Sequence, residues 1–110
     1  MTVKDLIDSN LFELICEGPD TSAPVDGVFC CDLLSIAMGR GKADHAWVTV
    51  MGNINSLAVL RLTDMSCIVL AEGAALDDEA KEKAAQVGTT VLRSREPVFE
   101  TALKIHGLIK

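Results

Sequence analysis

Residues 46–71 read AWVTVMGNINSLAVLRLTDMSCIVLA, and this stretch decides the fold. Residues 46–51 and 67–71 are apolar runs of strand length, and the second has no polar residue, which is typical of a central strand covered on both faces. Gly52 and Asn53 form a turn into residues 54–65, which predict a helix with an apolar circumference. A strand, a helix and a strand in this order predict two parallel strands joined by a crossover helix.

The chain before this stretch opens with a helix and a strand. Thr2 and Asp5 have the spacing of a capping box, which predicts a short helix that ends near Asn10. Residues 11–16 predict a strand because apolar and polar side chains alternate in them. Residues 17–24, which contain glycine and two prolines, predict a loop.

A second strand and a short helix lie between this loop and residue 46. Residues 27–31 form an apolar run, and Asp32 is placed to cap the helix that follows. Gly39 and Gly41 are expected to end that helix, because glycine is the preferred residue after a helix C-terminus.

Two helices and one strand follow residue 71. Asp77 or Asp78 caps the first helix and Gly88 ends it, and residues 90–93 predict the last strand. Pro97 suits the first turn of the final helix, whose apolar stripe consists of Val98, Ala102, Ile105 and Ile109. The 110 residues therefore predict a single-domain α/β fold with a mostly parallel sheet of about five strands flanked by helices.

The charge balance disfavours two classes of partner. The net charge is −6, from 16 acidic and 10 basic residues, and no basic stripe is present. Nucleic acid and anionic membrane surfaces are therefore not expected as partners. The opening residues lack the apolar run of a secretory signal, and Arg61 and Asp64 interrupt the most apolar stretch. We expect a cytoplasmic protein.

No pattern predicts a metal, a cofactor or a catalytic group. The cysteines occur in apolar runs without a C-x-x-C pair, which favours packing over metal binding. They are Cys16, Cys30, Cys31 and Cys67.

The GRGK segment at 39–42 lacks the first glycine and the Ser or Thr of a phosphate loop. His45 and His106 are each expected to have a structural role, and no serine lies in a G-x-S-x-G elbow. The chain is therefore not expected to be an enzyme.

Polar residues collect at the predicted junctions between strands and helices. Ligands of open α/β sheets bind at the carboxyl ends of strands, where free helix amides meet anions. Ordinary caps and turns place the same residue types at the same positions. The candidate ligand-binding residues are Asp32, Ser35, Thr49, Asn53, Asn55, Glu72 and Gly73.

Several segments together resemble the DRTGG domain family. They are VFCCDLLS at 28–35, AWVTVM at 46–51 and CIVLAEG at 67–73, with TVKDLID at the start and DDEAKEKAAQVGTTVLRS at 77–94. The pentapeptide that names the family falls near residues 24–28, where this chain has PVDGV and keeps only Gly27. Asp32, Ser35 and Asn55 are the polar residues that match the family at their positions.

The resemblance implies a fold like the N-terminal domain of HPr kinase/phosphorylase. It also implies a regulatory module that forms dimer contacts, and stand-alone relatives occur beside iron–sulfur and hydrogenase-related genes. We therefore expect a homodimeric regulatory or binding module that senses a small anionic metabolite or nucleotide. The alternative is a protein-interaction subunit of a separately encoded kinase or redox system. A third hypothesis, an enzyme that uses His45 or Asp32 in a deep pocket, ranks behind both.

Overall fold

The computed structural model describes residues 1–109. This part of the chain forms five helices and five strands, which alternate from the second strand onwards. In chain order they are α1 (Val3–Asp8), β1 (Glu13–Cys16), β2 (Gly27–Cys30), α2 (Leu34–Arg40), β3 (His45–Thr49), α3 (Ile54–Thr63), β4 (Cys67–Leu70), α4 (Asp78–Val87), β5 (Val91–Arg93) and α5 (Val98–Ile109).

The strands form one sheet in the order β1-β5-β4-β3-β2. Strands β2, β3, β4 and β5 run parallel to one another, and β1 pairs antiparallel with β5 at one edge. Trp47 in the middle of β3 pairs with Phe29 of β2 and Ile68 of β4. The predicted α/β fold with a mostly parallel five-stranded sheet is confirmed.

Helices cover both faces of the sheet because alternate side chains of the strands are buried on opposite sides. Trp47 and Ile68 point to the face where Ala37 of α2, Leu57 of α3 and Ala84 of α4 complete one core cluster. On the other face, a second cluster joins Val48 and Val69 to Val3 and Leu6 of α1 and Ile105 of α5. The domain therefore has three layers, with α2, α3 and α4 on one side and α1 and α5 on the other.

A connection over residues 17–26 crosses the whole sheet, because β1 and β2 lie at opposite edges. It follows the amino ends of the parallel strands. The Gly18 amide donates to Thr90 Oγ1 at 3.0 Å, the Ser66 hydroxyl donates to the Pro24 carbonyl, and the Asp26 amide donates to the Asp44 carbonyl at 2.8 Å. These bonds fix the connection to the turns that lead into β5, β4 and β3.

Most helix starts follow the predicted capping chemistry. Thr2 and Asp5 form the expected capping box at α1, and Asp77 accepts a hydrogen bond from the Ala80 amide at the start of α4. Gly88 ends α4 in the left-handed conformation, with a φ of 74°. No helix within residues 1–109 is long and apolar enough to cross a bilayer.

The prediction for α2 was wrong at its start and for Gly39, whereas Gly41 ends the helix as expected. Leu33, not Asp32, occupies the N-cap position, and no side chain caps this helix. The Asp32 carboxylate instead bonds to groups at the end of β3. Gly39 lies inside α2 and Gly41 alone follows its last residue. Tertiary hydrogen bonds thus outcompete the local cap at Asp32.

Candidate functional site

Several of the predicted ligand-binding residues lie at the carboxyl edge of the parallel strands. Asp32 follows β2, Thr49 ends β3, and Glu72 with Gly73 follows β4. Asp32 and Thr49 are brought into direct contact: Asp32 Oδ1 accepts hydrogen bonds from Thr49 Oγ1 at 2.8 Å and from the Val50 amide at 2.9 Å. This carboxylate therefore joins the ends of β2 and β3.

We predict that Asp32→Ala lowers the free energy of unfolding by about 1–2 kcal/mol, because the buried Thr49 hydroxyl then loses its acceptor. Thr49→Val removes the hydroxyl itself, so the double variant is expected to cost less than the sum of the two single variants. Urea denaturation of the four proteins measures this coupling. Strict additivity would contradict the assigned bond.

The other polar candidates have separate positions. Asn53 accepts a hydrogen bond from the Ser56 amide at 3.1 Å and caps α3. Ser35 and Asn55 are exposed, and within residues 1–109 no side-chain hydrogen bond joins either to another candidate. Asn55 instead lines a groove between α3 and α4. The structure therefore separates Ser35 and Asn55 from the Asp32–Thr49 pair.

The backbone amides that follow β4 are already hydrogen-bonded within the fold. Glu72 and Gly73 both adopt left-handed backbone conformations, with φ of 59° and 66°. Their amides donate to the carbonyls of Glu96 and Ser94, each at 2.8 Å. The Glu72 and Gly73 amides are therefore not free to bind an anionic ligand at this edge. The carboxylates of Asp32 and Glu72 add negative charge there, which disfavours an anion.

The topology also disfavours a ligand crevice between the helices at this edge. In open α/β sheets, ligands bind where the strand order reverses, so that the helices on either side of that point cover opposite faces. Here β2, β3, β4 and β5 lie in sequence order, and α2, α3 and α4 all pack on the same face. An anion site at the carboxyl edge stays a prediction.

A surface groove lies on the outer side of α3 and α4. It is a groove of about 550 Å³ lined mainly by apolar side chains, namely Ile54, Leu57, Ala58, Leu62 and Val87, together with Asn55, Arg61 and Lys83. We call it the α3–α4 groove. Leu62 is 69% exposed, whereas Leu57, Val59 and Leu60 of the same helix are buried. In the sequence, the apolar circumference of residues 54–65 indicated the α3 side of this groove. The α4 side was not predictable from the sequence, because it depends on how α4 packs beside α3.

Two positively charged side chains line this apolar groove. Arg61 Nη1 donates to the Val87 carbonyl at 3.2 Å, which joins the last turns of α3 and α4. Neither Arg61 nor Lys83 forms a salt bridge among residues 1–109. The groove therefore combines apolar surface with positive charge on a chain that is acidic as a whole.

The cysteines divide into different environments, so the prediction that all four pack in the core was wrong for Cys30. Cys67 is fully buried, and burial raises the pKa of its thiol to about 12. Cys30 at the end of the edge strand β2 is exposed, and partial burial, with Asp32 and Cys31 nearby, raises its thiol pKa. No group of three His, Cys, Asp or Glu side chains in residues 1–109 is arranged to hold a metal ion.

We predict that iodoacetamide alkylates Cys67 at least about 100-fold more slowly than Cys30 in the native protein, because its reaction requires local opening. The two rates are expected to become similar in urea. Similar rates without urea would contradict the burial of Cys67.

The raised pKa of the Cys67 thiol also makes the stability of the protein depend on pH. The native state holds the thiol proton more tightly, so stability falls as pH rises from the ordinary value of 9.0 towards about 12. Cys67→Ala is expected to remove this loss.

The two histidines are also in unlike positions. His45 is the first residue of β3, and its imidazole lies so close to Gly27 that a Cβ there would be 2.4 Å from Nε2. His45 Nδ1 is buried and has no hydrogen-bond partner among the described residues. His106 is exposed on α5. Neither imidazole is hydrogen-bonded to Asp32 or to another candidate residue in residues 1–109.

Comparison with known proteins adds no family to this geometry. No protein-family model matches the chain, and no curated protein matches it either.

Proposed function

We propose that this chain is a non-catalytic regulatory module of the DRTGG type that binds a second copy of itself through the α3–α4 groove. The observation that carries the proposal is the exposed apolar surface of the groove. Leu62 projects from a helix whose other apolar residues are largely buried, and Ala58 beside it is exposed as well. Contiguous apolar surface of this kind marks interaction sites on folded proteins.

Charge complementarity favours a second copy as the occupant. Exposed acidic and basic side chains alternate along α4 from Glu79 in its first turn to Lys83 in its middle, and Arg61 lies in the last turn of α3. A two-fold axis across the groove sets α4 antiparallel to its copy. In this arrangement Glu79 of one copy lies towards Lys83 of the other, and each contact occurs twice.

Two of the polar candidates have structural roles. The side-chain oxygens of Asp32 and Asn53 accept hydrogen bonds from the backbone amides of Val50 and Ser56. Recognition of a small anionic metabolite or nucleotide at the carboxyl edge is a second, separable part of the proposal, and it rests on the resemblance.

The assembly is tested with two charge substitutions on opposite layers of the domain. Leu62→Lys places an ammonium group in the groove, whereas Leu103→Lys places one on α5, where Leu103 is 55% exposed. Leu62→Lys is expected to raise the dimer dissociation constant at least about 100-fold, since each interface loses two leucine contacts. Leu103→Lys is expected to leave it unchanged. Sedimentation equilibrium measures both.

The proposal is contradicted if the unsubstituted chain is monomeric throughout the concentration range. It is also contradicted if Leu103→Lys dissociates the dimer while Leu62→Lys does not. A monomer that co-purifies with one separate polypeptide would favour the alternative of an interaction subunit.

A further inference from the structure

The opposite, amino edge of the parallel strands contains a polar cavity of about 310 Å³. Three segments enclose it: the turn from α3 into β4, the turn from α4 into β5, and the connection over residues 17–26. The polar side chains that line it are Asp20, Arg61, Asp64, Ser66, Thr89 and Thr90. We call it the amino-edge cavity. None of these six residues belongs to the carboxyl-edge set.

One part of the cavity is electronegative. Helices α3 and α4 both end beside it, so the negative ends of two helix dipoles face the same space. The carboxylates of Asp20 and Asp64 add to this potential. Asp64 forms no hydrogen bond and no salt bridge through its side chain within the described part of the chain. This environment favours an ammonium group.

The cavity also offers hydrogen-bond donors to a carboxylate. Arg61 uses one N–H for the Val87 carbonyl, and its guanidinium has further donors available for a bidentate contact. Thr89 lines the same space and is 5% exposed as a residue, and its hydroxyl has no hydrogen-bond partner among residues 1–109. This hydroxyl is therefore available to donate to a ligand oxygen.

We infer that the amino-edge cavity binds a small zwitterion, of the class of free amino acids. Its ammonium group pairs with Asp64 and Asp20, and its carboxylate accepts from Arg61 and Thr89. The opposite charges on the cavity wall select a molecule that carries both charges over one that carries either alone. The site does not require the proposed dimer, because all the residues that line it belong to one copy.

The probe is each of the twenty protein amino acids, titrated singly into the ¹⁵N-labelled chain and followed through its amide spectrum. At least one is expected to shift the amides of residues 64–66 and 88–90 saturably, with a dissociation constant below about 10 mM. Its N-acetyl and amide derivatives, which each lack one charge, are expected to bind at least about tenfold more weakly.

Two substitutions test the assigned residues. Asp64→Asn is expected to weaken binding about tenfold, and Thr89→Val, which keeps the shape of the side chain, about threefold to tenfold. Asp78→Asn removes an exposed carboxylate at the start of α4 and is the matched control, with unchanged affinity expected. Arg61 is not substituted, because it also lines the α3–α4 groove. The inference is overturned if no amino acid shifts these amides, if singly charged derivatives bind equally well, or if both test variants bind as the control does.

Discussion

Replacing Trp47 with alanine is expected to lower the free energy of unfolding by about 3–5 kcal/mol, the largest effect of any single substitution considered. Trp47 is fully buried in the central strand β3, in the core cluster that joins α2, α3 and α4 to the sheet. Small domains have a total stability of about 5–15 kcal/mol, so this substitution removes a large part of it. Far-ultraviolet circular dichroism during urea denaturation measures the change.

Trp47→Phe separates the packing of this residue from its hydrogen bond. The indole Nε1 donates to the Cys31 carbonyl at 3.0 Å, which ties the end of β2 to β3. Phenylalanine keeps most of the ring volume and leaves this carbonyl without its donor, so a loss of about 1–2 kcal/mol is expected. If the phenylalanine variant were as unstable as the alanine variant, the large effect would not come from the cavity.

Gly18→Ala is expected to destabilise the fold by about 2–3 kcal/mol, because the added methyl has no room. An ideal Cβ on Gly18 would lie 2.2 Å from the Gly88 carbonyl oxygen, which is backbone and cannot rotate away. The connection over residues 17–26 must then move away from the turn into β5, and the bond from the Gly18 amide to Thr90 Oγ1 is lost with it.

Gly107→Ala is the control for this substitution. Gly107 lies in α5, and nothing approaches its Cβ position within 4 Å. Alanine is expected to raise stability there by about 0.5–1 kcal/mol, because glycine is unfavourable inside a helix. Thermal unfolding of both variants measures the difference. A neutral Gly18→Ala variant would show that the connection does not pack on Gly88.

The features predictable from the sequence are those set by short-range pattern. The all-apolar run at 67–71 marks a strand buried on both faces, and Cys67, Ile68, Val69 and Leu70 are all buried in the structure. Thr2 with Asp5 and Asp77 with Ala80 form caps from neighbouring residues. In these cases the interacting groups lie within a few residues of each other, so spacing alone identifies them.

The features missed from the sequence depend on residues brought together over long distances. Asp32 has the pattern of a helix cap, but its carboxylate accepts hydrogen bonds from Thr49 and Val50 at the end of β3. The amino-edge cavity combines Asp20 with Asp64 and Thr89, which lie in three turns far apart in the chain. Single-sequence periodicity gives no information on which turns become neighbours, and a turn residue and a cavity residue have the same local pattern.

The proposed assembly of this chain with itself through the α3–α4 groove is tested most directly by native mass spectrometry. The gently purified protein is measured beside its Leu62→Lys variant, because the spectrum reports the subunit number and any bound molecule together. We expect twice the chain mass for the unsubstituted protein and the single-chain mass for the variant. A single-chain mass for both proteins, or twice the chain mass for both, would contradict the proposed assembly.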